Sequence, residues 1–143
     1  MKVPIALAAL SLLVMATFAG ATPDQPFMQA ARADLGTAKR ELQKATPDKG
    51  GHRVKAIELV NRAIAEVNAG IAWDRRHNHA VAVEQIFAVA GDQPHMTAAL
   101  AALESAKNNL ERATSDKGGH RARALDLVKD AISEVKKGID AAR

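Results

Sequence analysis

Asp48-Lys49-Gly50-Gly51-His52-Arg53 returns residue for residue as Asp116-Lys117-Gly118-Gly119-His120-Arg121, 68 positions further along the chain. Carried outward without a gap, that offset aligns residues 24–75 with 92–143, and about half of the aligned positions are identical. An internal duplication of this kind means one supersecondary unit used twice. What the unit is follows from the residues on either side of the hexapeptide.

On its N-terminal side Met28, Ala31, Leu35, Ala38, Leu42 and Ala45 are spaced alternately three and four apart, as are Met96, Ala99, Leu103, Ala106, Leu110 and Ala113. That period belongs to an amphipathic helix with a narrow bundle seam. Asp24-Gln25-Pro26 and Asp92-Gln93-Pro94 precede these arms. Proline has no N–H to leave unpaired in a first helical turn, so the helices are expected to begin near Pro26 and Pro94. On the C-terminal side Ile57, Val60, Ile64, Val67 and Ile71 repeat as Leu125, Val128, Ile132, Val135 and Ile139, with Ala56, Leu59 and Ala63 widening the stripe. The hexapeptide is then the turn of a helical hairpin. Pro47 stops the first helix, Asp48 or Asp116 can cap the next, and the paired glycines accept a tight reversal.

A single helical hairpin cannot bury its stripe, so two of them close most simply into an antiparallel four-helix bundle, an all-α fold. Its domain is residues 22–143, made of hairpin repeats 24–75 and 92–143 and a connector, 76–91. Dimerisation of whole chains, or exchange of hairpins between them, is the other closure. Within the connector Ala80–Val89 is apolar and is expected to pack, as a short piece of helix, over one end of the bundle. Small Ala beside Leu along the seam lets helices approach closely, so enlarging Ala38 or Ala106 should overpack it.

Val3–Gly20 is almost wholly apolar behind Met1-Lys2, and Ala19-Gly20-Ala21 supplies small residues for cleavage. Residues 1–21 therefore read as a signal peptide, which places the mature chain in the periplasm or outside the cell with no stable membrane insertion after cleavage. The chain has no cysteine, which excludes disulfides, thiolate metal sites and thiol catalysis. A formal charge of +4, evenly interspersed, is too mild to imply nucleic-acid binding. With one Trp, three Phe and no Tyr, the core must be aliphatic, and Trp73 is expected to seal an end of the bundle.

Candidate chemistry centres on the five histidines. In an up-down-up-down bundle both glycine turns lie at one end, which would bring His52 and His120 together with Asp48 and Asp116. A connector crossing the whole bundle would instead put the turns at opposite ends and abolish that site. Imidazole and carboxylate suit Zn(II), Cu(II) or Ni(II). Alternatively each imidazole bonds within its own turn or packs against the facing helix and orients the hairpin. A second cluster, Asp74, His77, His79 and His95, is expected where the second helix leaves and the third begins. The carboxylates Glu58 and Glu66, repeated as Asp126 and Glu134, read as surface charge, as do Lys39, Arg40, Lys44, Arg53 and Lys55. There is no Glu-x-x-His, no His-Glu-x-x-His, no phosphate-binding glycine loop and no serine–histidine–aspartate partnership, so no catalytic residue is assigned.

Repeated hairpins behind a signal peptide, each turn leading through Gly-His into an alanine-rich helix (Gly51-His52 to Ile71, Gly119-His120 to Ile139), resemble the small metal-binding proteins of the bacterial periplasm. That resemblance implies an up-down bundle binding divalent metal through histidines, although only His52 and His120 occupy the Gly-His positions here. The full hexapeptide also resembles one in uncharacterised exported bacterial proteins. The expectation is an exported, non-enzymatic bundle with a metal at the turns, or else a structural or interaction module of the envelope, working as a homodimer or with an envelope protein partner.

Overall fold

The computed structural model describes residues 24–47, 50–77, 94–113 and 118–142. They form four helices: α1 (Asp24–Lys44), α2 (His52–His77), α3 (Pro94–Arg112) and α4 (His120–Asp140). Residues 1–21, expected to be a signal peptide, most of the connector with the expected Ala80–Val89 helix, Asp48 and Asp116 lie outside the described residues. α1 and α2 pair as one hairpin and α3 and α4 as the other, while the largest contacts join α1 to α3 and α2 to α4.

All six seam residues of α1 and all six of α3 are buried, each no more than 6% exposed. Read by sevens, the positions are Met28, Leu35 and Leu42 alternating with Ala31, Ala38 and Ala45 in α1, and the same pattern holds in α3. A seven-residue period keeps one seam facing its partner over many turns. In α2 the fully buried line is Ala56, Val60, Ala63 and Val67, and in α4 it is Ala124, Val128, Ala131 and Val135. Val60, Val67, Ile71, Val128 and Val135 of the expected stripe are buried, with Ala56 and Ala63 beside them. Ile57, Ile64, Ile132 and Ile139 are only partly buried and flank the core, because alanine and valine occupy the line where the helices approach most closely.

The direction of the helices corrects the expected topology. His95 at the start of α3 meets Glu41 near the end of α1, and Arg112 at the end of α3 lies over Phe27 at the start of α1. α1 and α3 therefore run antiparallel. Likewise His52 at the start of α2 meets Glu134 late in α4, and His120 at the start of α4 meets Glu66 in α2. Since each hairpin is itself antiparallel, α2 and α3 run the same way and the order is up-down-down-up. His77 and Pro94, which flank residues 78–93, stand at opposite ends of the bundle. The two glycine turns do as well.

Candidate functional site

Each glycine turn does three jobs with three consecutive residue types. Gly51 and Gly119 both sit at φ +69°, the left-handed region that glycine enters without a side-chain penalty. Gly119, not an aspartate, is the N-cap of α4. The glycine before it makes room: a Cβ on Gly50 would lie 2.6 Å from the His52 ring, and one on Gly118 would lie 2.7 Å from the His120 ring and 3.6 Å from Trp73. Trp73, half-buried, thus closes the end that holds the second turn. After each histidine the arginine turns back, Arg53 Nη1 donating to the Leu42 carbonyl (3.3 Å) and Arg121 Nη1 to the Leu110 carbonyl (3.0 Å). Carbonyls in a last helical turn lack intrahelical donors and carry the negative end of the helix dipole, so a guanidinium there satisfies both. Arg53 is therefore a cap for the preceding helix and not part of a solvated face.

The histidines between these residues reach across to the other hairpin. His52 Nδ1–H donates to Glu134 Oε2 at 2.8 Å, and His120 Nδ1–H donates to Glu66 Oε2 at 2.8 Å. Hydrogen bonds to a carboxylate are among the stronger ones available in a small protein. Around Glu134 stand Lys137 Nζ at 3.0 Å and Lys55 Nζ at 3.6 Å from Oε1. Around Glu66, Arg123 Nε donates to the same Oε2 at 2.9 Å, which crowds its Nη2 to 2.7 Å from His120 Nδ1. Glu134 is the more deeply buried, at 8% side-chain exposure against 27% for Glu66.

The electrostatics follow the geometry. The His52 hydrogen bond, helped by Lys137 and opposed by desolvation, holds the Glu134 carboxyl down at about 2. The His120 bond lowers Glu66 in the same way, with Arg123 adding to it and burial opposing. A third bridge lies between α1 and α3, where His95 Nδ1–H donates to Glu41 Oε2 at 2.7 Å and lowers that carboxyl too.

These partnerships decide where the expected sites stand. His52 lies beside Glu134 and His120 beside Glu66. Glu66 is fourteen residues from His52 on the same helix, so the two latches are separated by about 21 Å at 1.5 Å per residue. One ion with ligand bonds of about 2 Å cannot take both imidazoles. The expectation that the turns share one end is corrected, and the convergence of His52 and His120 goes with it. Asp48 and Asp116 lie outside the described residues. The second expected cluster is separated as well: Asp74 is at the C-terminal end of α2 and His95 at the opposite end beside Glu41, while His79 is outside the described residues. Among the described residues no group of three or more His, Asp and Glu is disposed to hold a metal ion.

Glu66 and Glu134 are the functional side chains that the sequence reading missed by assigning them to surface charge. Their signal was present. In both repeats a His is followed fourteen residues later by a Glu, which is two heptads and therefore one face of one helix. Once one such His–Glu pair meets across two antiparallel copies of this helix, the equal spacing makes the second meet as well.

No protein-family model matches the chain, and no curated protein or solved structure matches it.

Among the described residues a shallow groove of about 380 Å³ lies between α3 and α4, lined by Glu104, Lys107, Asn108, Lys129, Ile132 and Lys136. Its lysines each stand by a carboxylate, Lys136 by Glu104 (3.8 Å), Lys107 by Glu111 (3.5 Å) and Lys129 by Asp126 (4.0 Å). Charge compensated in this way gives no concentrated anion site. No helix among the described residues is long and apolar enough to cross a membrane.

Proposed function

We propose that the chain is an exported, non-enzymatic structural or interaction module of the envelope, and that its duplicated turns are latches joining one hairpin to the other. The observation carrying this reading is the reciprocal pair His52–Glu134 and His120–Glu66, each spanning the two hairpins at its own end of the bundle. Every element of Gly-Gly-His-Arg has an architectural use there: space for the ring, a positive φ, a cross-hairpin bond and a cap. Export rests on the apolar N-terminal stretch and its small-residue exit.

Metal handling is the second reading. It is favoured by one feature, an imidazole already beside a carboxylate at each turn, which supplies two ligands per end for Zn(II), Cu(II) or Ni(II). Calorimetric titration of residues 22–143 with each metal separates the readings, together with unfolding of a His52→Ala/His120→Ala variant. The latch reading expects the variant to lose about 1.5–3 kcal/mol for each hydrogen bond to a charged group, and the metals to leave the unfolding midpoint of the parent unchanged. Micromolar binding that raises the midpoint and disappears in the variant would overturn it in favour of the metal.

A further inference from the structure

The two long seams of this bundle treat the duplication differently, and that difference bears on which hairpin can pair with which. Along α2·α4 each hairpin brings both a latch histidine and a latch glutamate, so a hairpin could satisfy a second copy of itself as well as it satisfies its mate. Along α1·α3 it could not. Asp34 Oδ2 accepts from Ser105 Oγ at 2.7 Å and from Asn109 Nδ2 at 2.8 Å, and Glu41 accepts from His95. By the 68-residue offset, Ala102 occupies the place of Asp34, Asn109 that of Glu41 and His95 that of Phe27.

We propose that the α1·α3 seam is a pairing code: the partner that fits the first hairpin is a second hairpin, from the same chain or from another copy, and each hairpin rejects its own kind. Were two first hairpins to pair, Glu41 would stand where Asn109 stands and set its carboxylate against Asp34, twice across the two-fold. Like charges facing one another in a half-buried seam are destabilising. Glu41 would lose His95 and keep only Lys44 of its own helix, and Asp34 would exchange Ser105 and Asn109 for the Thr37 hydroxyl alone. Were two second hairpins to pair, Ala102 would replace Asp34, leaving Ser105 and Asn109 without their acceptor and His95 without Glu41. Selectivity of this kind uses a repulsive element as well as an attractive one. It has a use here because His77 and Pro94 stand at opposite ends of the bundle, so a long tether joins the hairpins and those of a second copy compete for the same surfaces. The inference does not depend on the latch reading of function.

The test uses the intact chain and only residues already present at the mate positions. His95→Phe/Ala102→Asp/Asn109→Glu makes the seam resemble two first hairpins. Phe27→His/Asp34→Ala/Glu41→Asn makes it resemble two second hairpins. Combining all six exchanges the code between the hairpins and restores the His–Glu and Asp–Asn pairs, with Thr37 in the place of Ser105 and Lys44 in that of Arg112. In thermal unfolding the first triple variant is expected to melt roughly 10 °C below the parent, the second to fall by less because it introduces no facing carboxylates, and the six-substitution chain to return to within a few degrees of the parent. If either triple fails to fold, the six-substitution chain still reads the code. The proposal is overturned if that chain is no more stable than the sum of the two triples requires, or if the first triple melts at or above the second.

Discussion

The α2·α4 seam has kept the symmetry of the duplication and the α1·α3 seam has broken it. Along α2·α4 the same His–Glu bond is made twice, at 2.8 Å each time. Along α1·α3 each polar contact is made once: His95 with Glu41 at one end, Ser105 and Asn109 with Asp34 in the middle, and Arg112 4.4 Å from the centre of the Phe27 ring at the other. Thr37, the mate of Ser105, turns its hydroxyl back to the Ala33 carbonyl at 3.2 Å, and the mate of Asp34 is Ala102, which has no carboxylate to offer it. The two seams share one apolar plan, so the divergence is confined to side chains flanking the core. A bundle can hold its packing constant while its rim acquires specificity, since the apolar interior fills space and polar pairs decide register and partner.

If the apolar plan is shared, mates should be equivalent in the core and unequal at the rim. The largest effect is expected from Leu35→Ala or Leu103→Ala, both fully buried, each costing about 2–5 kcal/mol in urea unfolding. A difference between the mates larger than about 1 kcal/mol would show that the halves of the core are not packed alike. Next, Glu134→Ala should cost about 1–3 kcal/mol, because it strips the acceptor from His52 and from two nearby lysines. Glu66→Ala should cost less, its carboxylate being more exposed; equal costs would mean that the symmetry of the latch outweighs its burial.

The latches also set a pH dependence whose sign is fixed. Glu134 is at about 2 in the folded protein against 4.5 as the ordinary value, so the unfolded chain takes up protons first and the stabilisation it confers is present above pH 4.5. That contribution is lost as the pH falls from 4.5 through 2. Glu66 and Glu41 are lowered as well and add losses of the same sign. The gap in stability between the parent and Glu134→Gln should therefore be widest above pH 4.5 and close by about pH 2, a closure that denaturant curves at several pH values would follow. A gap that widened on acidification would contradict a carboxylate held ionised by its donors.

Smaller still is Gly51→Ala, which forces φ +69° on a residue with a Cβ that otherwise meets open space, at about 1 kcal/mol. Gly119→Ala should cost slightly more, since its Cβ would stand 3.2 Å from Arg123. The least effect belongs to Lys129→Ala, whose carboxylate partner is 4.0 Å away and exposed; it should stay within about 0.5 kcal/mol of the parent.

Much of the architecture was legible in the residues. The three-and-four spacing identified the helices and named every buried apolar residue of α1 and α3, because burial on one face of a helix must follow the helical period. α1 spans Asp24–Lys44 and α3 Pro94–Arg112, each helical at the proline near which its start was expected. In α2 and α4 the stripe included the buried Val60, Val67, Val128 and Val135, but also Ile57, Ile64, Ile132 and Ile139, which lie at its partly buried edge. A periodic pattern marks a face but not which edge of it lies nearest the neighbour. The candidate site was legible only in part: His52 and His120 were singled out, and their binding partners were not.

By itself the sequence determined that there are two helical hairpins, that they are copies, and which faces they must bury, since each of these follows from local periodicity and a repeated turn. Only the tertiary structure decided that the second hairpin is inverted against the first, through pairings such as His52 with Glu134 across 82 residues. That choice lies beyond any local rule: an apolar stripe packs equally well in either direction, and the sense of the pairing is set by which polar side chains meet once the helices are laid side by side.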